Sequence, residues 1–153
     1  MSLLIGIEYC KLDSNGRFKL PIAIKKQLEG DDCRFGIRPS IYAECLELWT
    51  YASFEAEIAQ LQKELNPYSI EDRKMLRVLS AGNIVEMDTS DRLVIPGEQR
   101  VRLKDSKELV LLSTGKFMEI WDHDTYSQLN NEVADYATKV DERLGRTANG
   151  PES

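Results

Sequence analysis

Apolar residues recur along the chain with the two-residue period of strands and the wider spacing of helices. In the first part, an alternating run ends in the turn Asp13-Ser14-Asn15-Gly16, where aspartate and asparagine bond their own backbone and glycine accepts a positive φ. Pro21 ends the next strand, because proline lacks the amide that a ladder needs, and it suits the start of a short helix. The predicted order is strand, strand, short helix, strand and strand, at Ile5–Leu12, Arg17–Leu20, Ile22–Leu28, Cys33–Arg38 and Cys45–Trp49.

The second part of the chain repeats this pattern. Asp13 aligns with Asp88 and Arg17 with Arg92, and further on the segment ending in Trp49 aligns with the one ending in Trp121 after a gap of three residues. Neither copy alone looks large enough to bury a good core, so the sequence predicts a tandem duplication with a shared core. The second set of elements is Ile84–Met87, the turn Asp88–Asp91, Arg92–Ile95, Pro96–Leu103, Glu108–Ser113 and Phe117–Trp121.

Helical spacing follows each copy. Phe54, Ile58, Leu61 and Leu65 form one apolar face, and a second helix is predicted to begin at Ser69, with Asp72 as its capping partner. A longer stripe, which suits packing on a neighbouring subunit, runs from Tyr126 to Leu144. The predicted organisation is a first repeat, a linking helix, a second repeat and a disordered tail, at residues 1–66, 67–83, 84–144 and 145–153.

Composition and motifs exclude most other classes of protein. The net charge of the 153-residue chain is −6, but seven basic and four acidic residues between Lys11 and Arg38 make that segment locally positive. The longest apolar run is far too short for a membrane span. The single histidine, His123, has no partner with metal or triad spacing, and neither a phosphate-binding loop nor a nucleophile elbow occurs. We expect no enzyme, cofactor, metal, membrane or small-molecule substrate.

The duplicated Asp-x-x-x-Arg motif carries the candidate chemistry. Each arginine leaves a tight turn, so its planar guanidinium could meet a guanine edge or a phosphate with two hydrogen bonds. The aspartate is expected to accept turn amides or to brace the arginine. In the second turn Asp91 replaces Gly16, and its charge beside the arginine should repel phosphate. The candidate DNA-binding residues are Asp13, Arg17, Lys19, Lys25, Asp88 and Arg92, with Arg17 expected to matter most. Arg92 is expected to contribute less to binding, and more to stability if its main partner is Asp88 or Asp91.

The chain resembles the MraZ family in three features. They are the segment Leu12 to Pro21, the segment Asp88 to Pro96, and the doubled strand ending in Trp49 and Trp121. The resemblance implies an α+β fold of two tandem swapped-hairpin (AbrB/SpoVT-like) β-barrel halves with flanking helices and pseudo-two-fold symmetry. It implies a cytoplasmic, nucleoid-associated transcriptional regulator that assembles as a ring-like homo-oligomer. Its partner would be double-stranded DNA, at short direct repeats upstream of the division and cell-wall gene cluster.

Two alternatives stay open from the sequence. One is an AbrB-like regulator or antitoxin. The internal duplication disfavours it, and so does the lack of a toxin-binding tail rich in acidic and aromatic residues. The other is a ring-forming interaction scaffold with vestigial DNA binding, which the acidic isoelectric point near 4.9 and the altered second motif would permit.

Overall fold

The computed structural model describes residues 3–28, 30–129 and 135–145, and the chain forms two compact units, Met1–Asp122 and His123–Ser153. The second unit contains two helices, α5 (His123–Leu129) and α6 (Tyr136–Leu144). The strands of the first unit are β1 (Leu4–Lys11), β2 (Arg17–Lys19), β3 (Arg34–Pro39), β4 (Leu46–Thr50), β5 (Asn83–Glu86), β6 (Arg92–Val94), β7 (Glu108–Gly115) and β8 (Met118–Asp122).

The described part of the first unit also contains four α-helices. They are α1 (Ile22–Lys25), α2 (Tyr51–Glu64), α3 (Ile70–Leu79) and α4 (Gly97–Arg100), with a 3₁₀ turn at Val101–Leu103. The Ser69 hydroxyl accepts the Asp72 amide at the start of α3, so the predicted helix start is confirmed. α1 is shorter than predicted, because Gln27 and Leu28 continue as tight turns that bond three residues back.

Strands of the two repeats share one antiparallel sheet, ordered β1-β7-β8-β4-β3-β5. β1, β3 and β4 are equivalent to β5, β7 and β8 in the repeat. With these equivalences, the strand order is the same when it is followed from either edge of the sheet. The first strand of each repeat pairs with the third strand of the other repeat, β1 with β7 and β5 with β3. At the centre β4 meets β8, and Glu47 lies opposite its equivalent Glu119. β2 and β6 form a separate two-stranded ribbon, which we call the basic ribbon.

The mixed α and β class is confirmed, but the predicted β-barrel halves are wrong. Over the described part of the chain the strands form an open sheet and the basic ribbon, and no barrel closes. Closure would require the edge strands to pair with each other. β1 and β5 lie at opposite ends of the sheet, and each pairs with one neighbouring strand only.

Residues of both repeats form the shared core beneath the basic ribbon. Phe18 of β2 and Leu93 of β6 point into it and are almost completely buried. Burying one such side chain contributes about 1.5–3 kcal/mol, so the core fixes the position of the short ribbon. The same buried cluster includes Leu20, Ile24, Phe35, Ile37, Leu46, Leu48, Ile95, Leu103 and Ile120.

A buried ion network ties β3 to two helices. The Arg38 guanidinium donates to Glu47 and Glu57 at 2.8 Å each, and to the Leu79 carbonyl at 2.6 Å. Only 6% of the Arg38 side chain is exposed, and the Trp49 indole donates to the same Glu47 carboxylate. The single buried cation of Arg38 therefore gives a hydrogen bond to each of two carboxylates and one carbonyl.

The predicted C-terminal helix lies in the second unit. α5 and α6 cover its two ends, while residues 130–134 lie outside the described residues. Of the predicted tail 145–153, only Gly145 is described, and it ends α6 in the left-handed conformation. The division into repeats 1–66 and 84–144 stays a prediction.

Candidate nucleic-acid interface

The basic ribbon separates apolar and charged side chains by strand alternation. Phe18 and Leu93 face the core as a directly opposed pair, whereas Arg17, Lys19 and Arg92 are exposed on the other face. Lys19 lies directly opposite Arg92 in the ladder. Two candidate residues from one repeat and one from the other therefore share one solvent-facing surface.

Both turns are held by the same hydrogen bonds to an aspartate. Asp13 Oδ1 accepts the amides of Asn15 and Arg17 at 2.8 and 2.9 Å. Asp88 Oδ1 accepts the equivalent amides of Ser90 and Arg92 at 2.8 and 3.0 Å. The expectation that the aspartates accept turn amides is confirmed. The backbone of each arginine is therefore fixed, because its own amide donates to the aspartate of its turn.

Each turn is also bonded to the strand that follows the other turn. The Ile95 amide donates to the Gly16 carbonyl, and the Leu20 amide donates to the Asp91 carbonyl, both at 2.8 Å. Gly16 and Asp91 have φ values of 76° and 61°, so both occupy the left-handed region that the turn requires. These reciprocal bonds join the two motifs into one unit.

The charges of the two repeats interact across the basic ribbon. Arg92 Nη1 lies 4.0 Å from Asp13 Oδ2, so its ion-pair partner comes from the first repeat. The condition considered from the sequence, a partner at Asp88 or Asp91, is not met by this pair. The Arg17 amide bond holds the pKa of Asp13 below its ordinary value of 3.8, with help from the Asn15 amide and the charges of Arg92 and Arg17. The Arg92 amide lowers the pKa of Asp88 in the same way, and the charge of Arg17 contributes.

Asp91 has a cationic partner that the sequence did not indicate. Lys25 Nζ lies 2.8 Å from Asp91 Oδ1, although the two residues are far apart in the chain. The ion pair offsets the negative charge expected to repel phosphate beside Arg92. It also engages Lys25, whose predicted phosphate contact would have to compete with Asp91.

Arg100 is a charged residue of this surface that the sequence reasoning missed. Its guanidinium lies over Gly16, with Cζ only 2.7 Å from where a β-carbon at Gly16 would sit. Aligning Pro21 with Pro96 would have found it, since Lys25 and Arg100 are each the fourth residue after those prolines.

Acid is expected to weaken both turns. Because the folded-state pKa values of Asp13 and Asp88 are depressed, their charges stabilise the fold above about pH 4, and that stability is lost as pH falls through the folded pKa values. We expect the double variant Asp13→Asn/Asp88→Asn to lose less thermal stability than the wild type between about pH 6 and about pH 3. Thermal unfolding at several pH values measures this, with Asp31→Asn as the exposed control. Equal losses in all three proteins would contradict it.

The described residues also bear on three other kinds of feature: reactive thiols, metal sites and membrane-spanning helices. The three cysteines are free, and burial raises the pKa of Cys10 to about 11 and of Cys45 to about 12, so neither thiol is readily ionised. No group of three or more His, Cys, Asp or Glu side chains in the described ranges could hold a metal ion. No helix found there is long and apolar enough to cross a membrane.

These features define a class: an α+β protein with an internal sequence repeat, in which β1 pairs with β7, β3 with β5, and β2 with β6 in a basic ribbon. The family model described as "MraZ protein, putative antitoxin-like" matches residues 79–147. The chain is 33% identical to the transcriptional regulator MraZ of Flavobacterium psychrophilum, over 95% of this chain and 94% of that protein. It is 34% identical to the protein of that name from Christiangramia forsetii, over 93% of each chain. The chain belongs to the MraZ family.

Proposed function

We propose that the protein is a transcriptional regulator that binds double-stranded DNA through the basic ribbon. One observation carries the proposal: Arg17, Lys19 and Arg92 are exposed together on a ribbon whose other face is fixed in the core. The related proteins from Flavobacterium psychrophilum and Christiangramia forsetii are named transcriptional regulators, which supports the regulatory part.

The ribbon suits a groove of DNA. A two-stranded ribbon fits the major groove of B-DNA, and arginine there bonds guanine O6 and N7 in a bidentate pair. Arg17 and Arg92 are assigned this role, and Lys19 is assigned a phosphate contact. Lys25 is assigned a weaker phosphate contact, because a phosphate must compete with Asp91 for its ammonium group. Asp13 and Asp88 act indirectly, because they hold the turn amides from which the arginines project. Binding then requires little ordering of the backbone.

We infer that the fold is a pair of tandem AbrB-like swapped-hairpin units. The inference is supported by strand exchange between repeats and by the reciprocal bonds between the two turns. By the family resemblance, the target is a set of direct repeats upstream of the division and cell-wall gene cluster. The protein would then act in the cytoplasm at the nucleoid, without catalysis, a cofactor or a small-molecule substrate.

A ring-like homo-oligomer is part of the proposal. At a net charge of −6, one subunit neutralises few phosphates overall, and several copies of the basic ribbon would add avidity. The edge strand β1 offers a surface for a second copy, since Ile5 and Ile7 are 73% and 39% exposed on one face and Leu3 adjoins them. The side chain of Gln27 bonds both the amide and the carbonyl of Ile5, so association would use this apolar face and not strand pairing at Ile5.

Charging that face should reduce the assembly. We expect the wild type to be larger than a dimer and Ile5→Lys/Ile7→Lys to be smaller, because two buried ammonium groups would have to be desolvated. Light scattering at micromolar concentration gives the mass, and Tyr68→Lys, at a residue that is 92% exposed elsewhere, is the control. A monodisperse wild-type monomer of 17.5 kDa would contradict the ring.

A gel shift on the region upstream of the protein's own gene tests the DNA-binding proposal. We expect retarded bands that survive competitor DNA of unrelated sequence. Bands that any competitor abolishes would favour vestigial, non-specific binding, and no bands at all would favour the interaction scaffold.

A further inference from the structure

We infer that Arg100 is a further DNA-contacting residue, and that the ion pair between Lys25 and Asp91 withholds the equivalent cation at the second turn. The inference rests on the proposed function, since it assigns one more residue to the same interface. It explains why two repeats of one motif should bind DNA unequally.

The two cations occupy equivalent positions next to opposite turns. Lys25 follows Pro21 in α1 and reaches the second turn, where its Nζ lies 2.8 Å from Asp91 Oδ1. Arg100 follows Pro96 at the end of α4 and reaches the first turn, where its guanidinium lies over Gly16. The fold thus places a cation from each repeat at the other repeat's turn.

What the cation meets there differs between the two turns. Asp91 supplies a carboxylate that holds Lys25, whereas Gly16 has no side chain at all. Among the described residues, the Arg100 side chain forms no ion pair. No carboxylate among these residues therefore offsets the charge of Arg100, while the charge of Lys25 is offset before DNA arrives.

Gly16 also brings the guanidinium close to the principal arginine. Because a β-carbon there would stand 2.7 Å from Arg100 Cζ and 3.1 Å from Nε, any larger residue would displace the guanidinium. Arg17 is the next residue along the chain and is exposed on the basic ribbon. Two arginines, one from each repeat, therefore lie at the first turn, an arrangement that would let one meet a phosphate while the other meets a guanine.

Anisotropy titrations of a cognate duplex at several salt concentrations test the role of Arg100. We expect Arg100→Gln to weaken binding about fivefold or more and to reduce the slope of log affinity against log salt by about one. Arg100→Lys keeps the charge and should retain most of the affinity. Arg77→Gln, on the exposed face of α3, is the charge-matched control.

The second turn gives an independent test in the opposite direction. Asp91→Asn keeps a residue type that tolerates a positive φ but removes the carboxylate, so Lys25 should be released and binding should tighten. Adding Lys25→Ala to Asp91→Asn should cancel that gain.

Several results would overturn the inference. The first is an Arg100→Gln variant that binds DNA like the control. The second is an equal loss of affinity for Arg100→Gln and Arg100→Lys, which would indicate that Arg100 acts by packing over Gly16. The third is an Asp91→Asn variant with unchanged affinity. Each differs from a failure of the proposed function, in which the wild type itself does not bind.

Discussion

Arg17→Ala is expected to abolish most sequence-specific DNA binding. Removing a bidentate contact to guanine costs about 1–3 kcal/mol per site, and the loss is repeated for every subunit of a multivalent assembly. Affinity for scrambled DNA should fall less, because non-specific binding depends on all the phosphate contacts together. The fold should persist, since the Arg17 side chain is exposed and the hydrogen bond to Asp13 uses the backbone amide.

Anisotropy titration on cognate and scrambled duplexes measures both effects. Arg77→Ala removes the same charge from α3 and should bind like the wild type. Arg92→Ala should cost less binding than Arg17→Ala, because Arg92 already lies near Asp13 and leaves the turn that contains Asp91. If Arg17→Ala matches the wild type on both duplexes, the first turn does not read DNA.

Arg38→Ala is expected to cause a large loss of stability. The substitution would leave the carboxylate of Glu47 buried beside Trp49 without its cation, and the Leu79 carbonyl without its donor. Breaking one side of a buried ion pair costs about 3–5 kcal/mol. The free energy of unfolding from urea denaturation should fall by about that amount.

Two further variants separate the charge effect from lost packing. Arg38→Met/Glu47→Gln removes both charges of the buried pair, so it should be more stable than Arg38→Ala. Arg34→Ala breaks the exposed pair with Asp32 and removes the cation–π contact with Tyr51. It should cost much less than Arg38→Ala, since exposed contacts of both kinds contribute about 1 kcal/mol or less. Equal stability of Arg38→Ala and Arg34→Ala would show that the buried network is not needed.

The local structure of each turn could be predicted from the sequence because its causes are local. Asp13 and the amides it accepts lie within four residues, and the left-handed position falls on Gly16. The internal repeat then extended the prediction to Asp88 and Arg92. Alternation likewise separated Phe18, which is buried, from Arg17 and Lys19, which are exposed.

The parts that failed depend on contacts between distant segments. Lys25 looks like part of one basic cluster in the sequence, but α1 brings it to Asp91 of the other repeat. Similarly, Arg92 lies near Asp13 because β2 and β6 pair across the repeats. The predicted barrels failed for the same reason, since the sequence pattern predicts strands but not which strands will pair.

Hydrogen–deuterium exchange with and without a cognate duplex tests the central claim, that the basic ribbon is the DNA-binding surface. We expect added protection in peptides that cover residues 13–20 and 88–95, with peptides from α3 unchanged. A scrambled duplex of equal length is the control for non-specific contact. Protection elsewhere in the chain, with none at the ribbon while DNA is fully bound, would contradict the account.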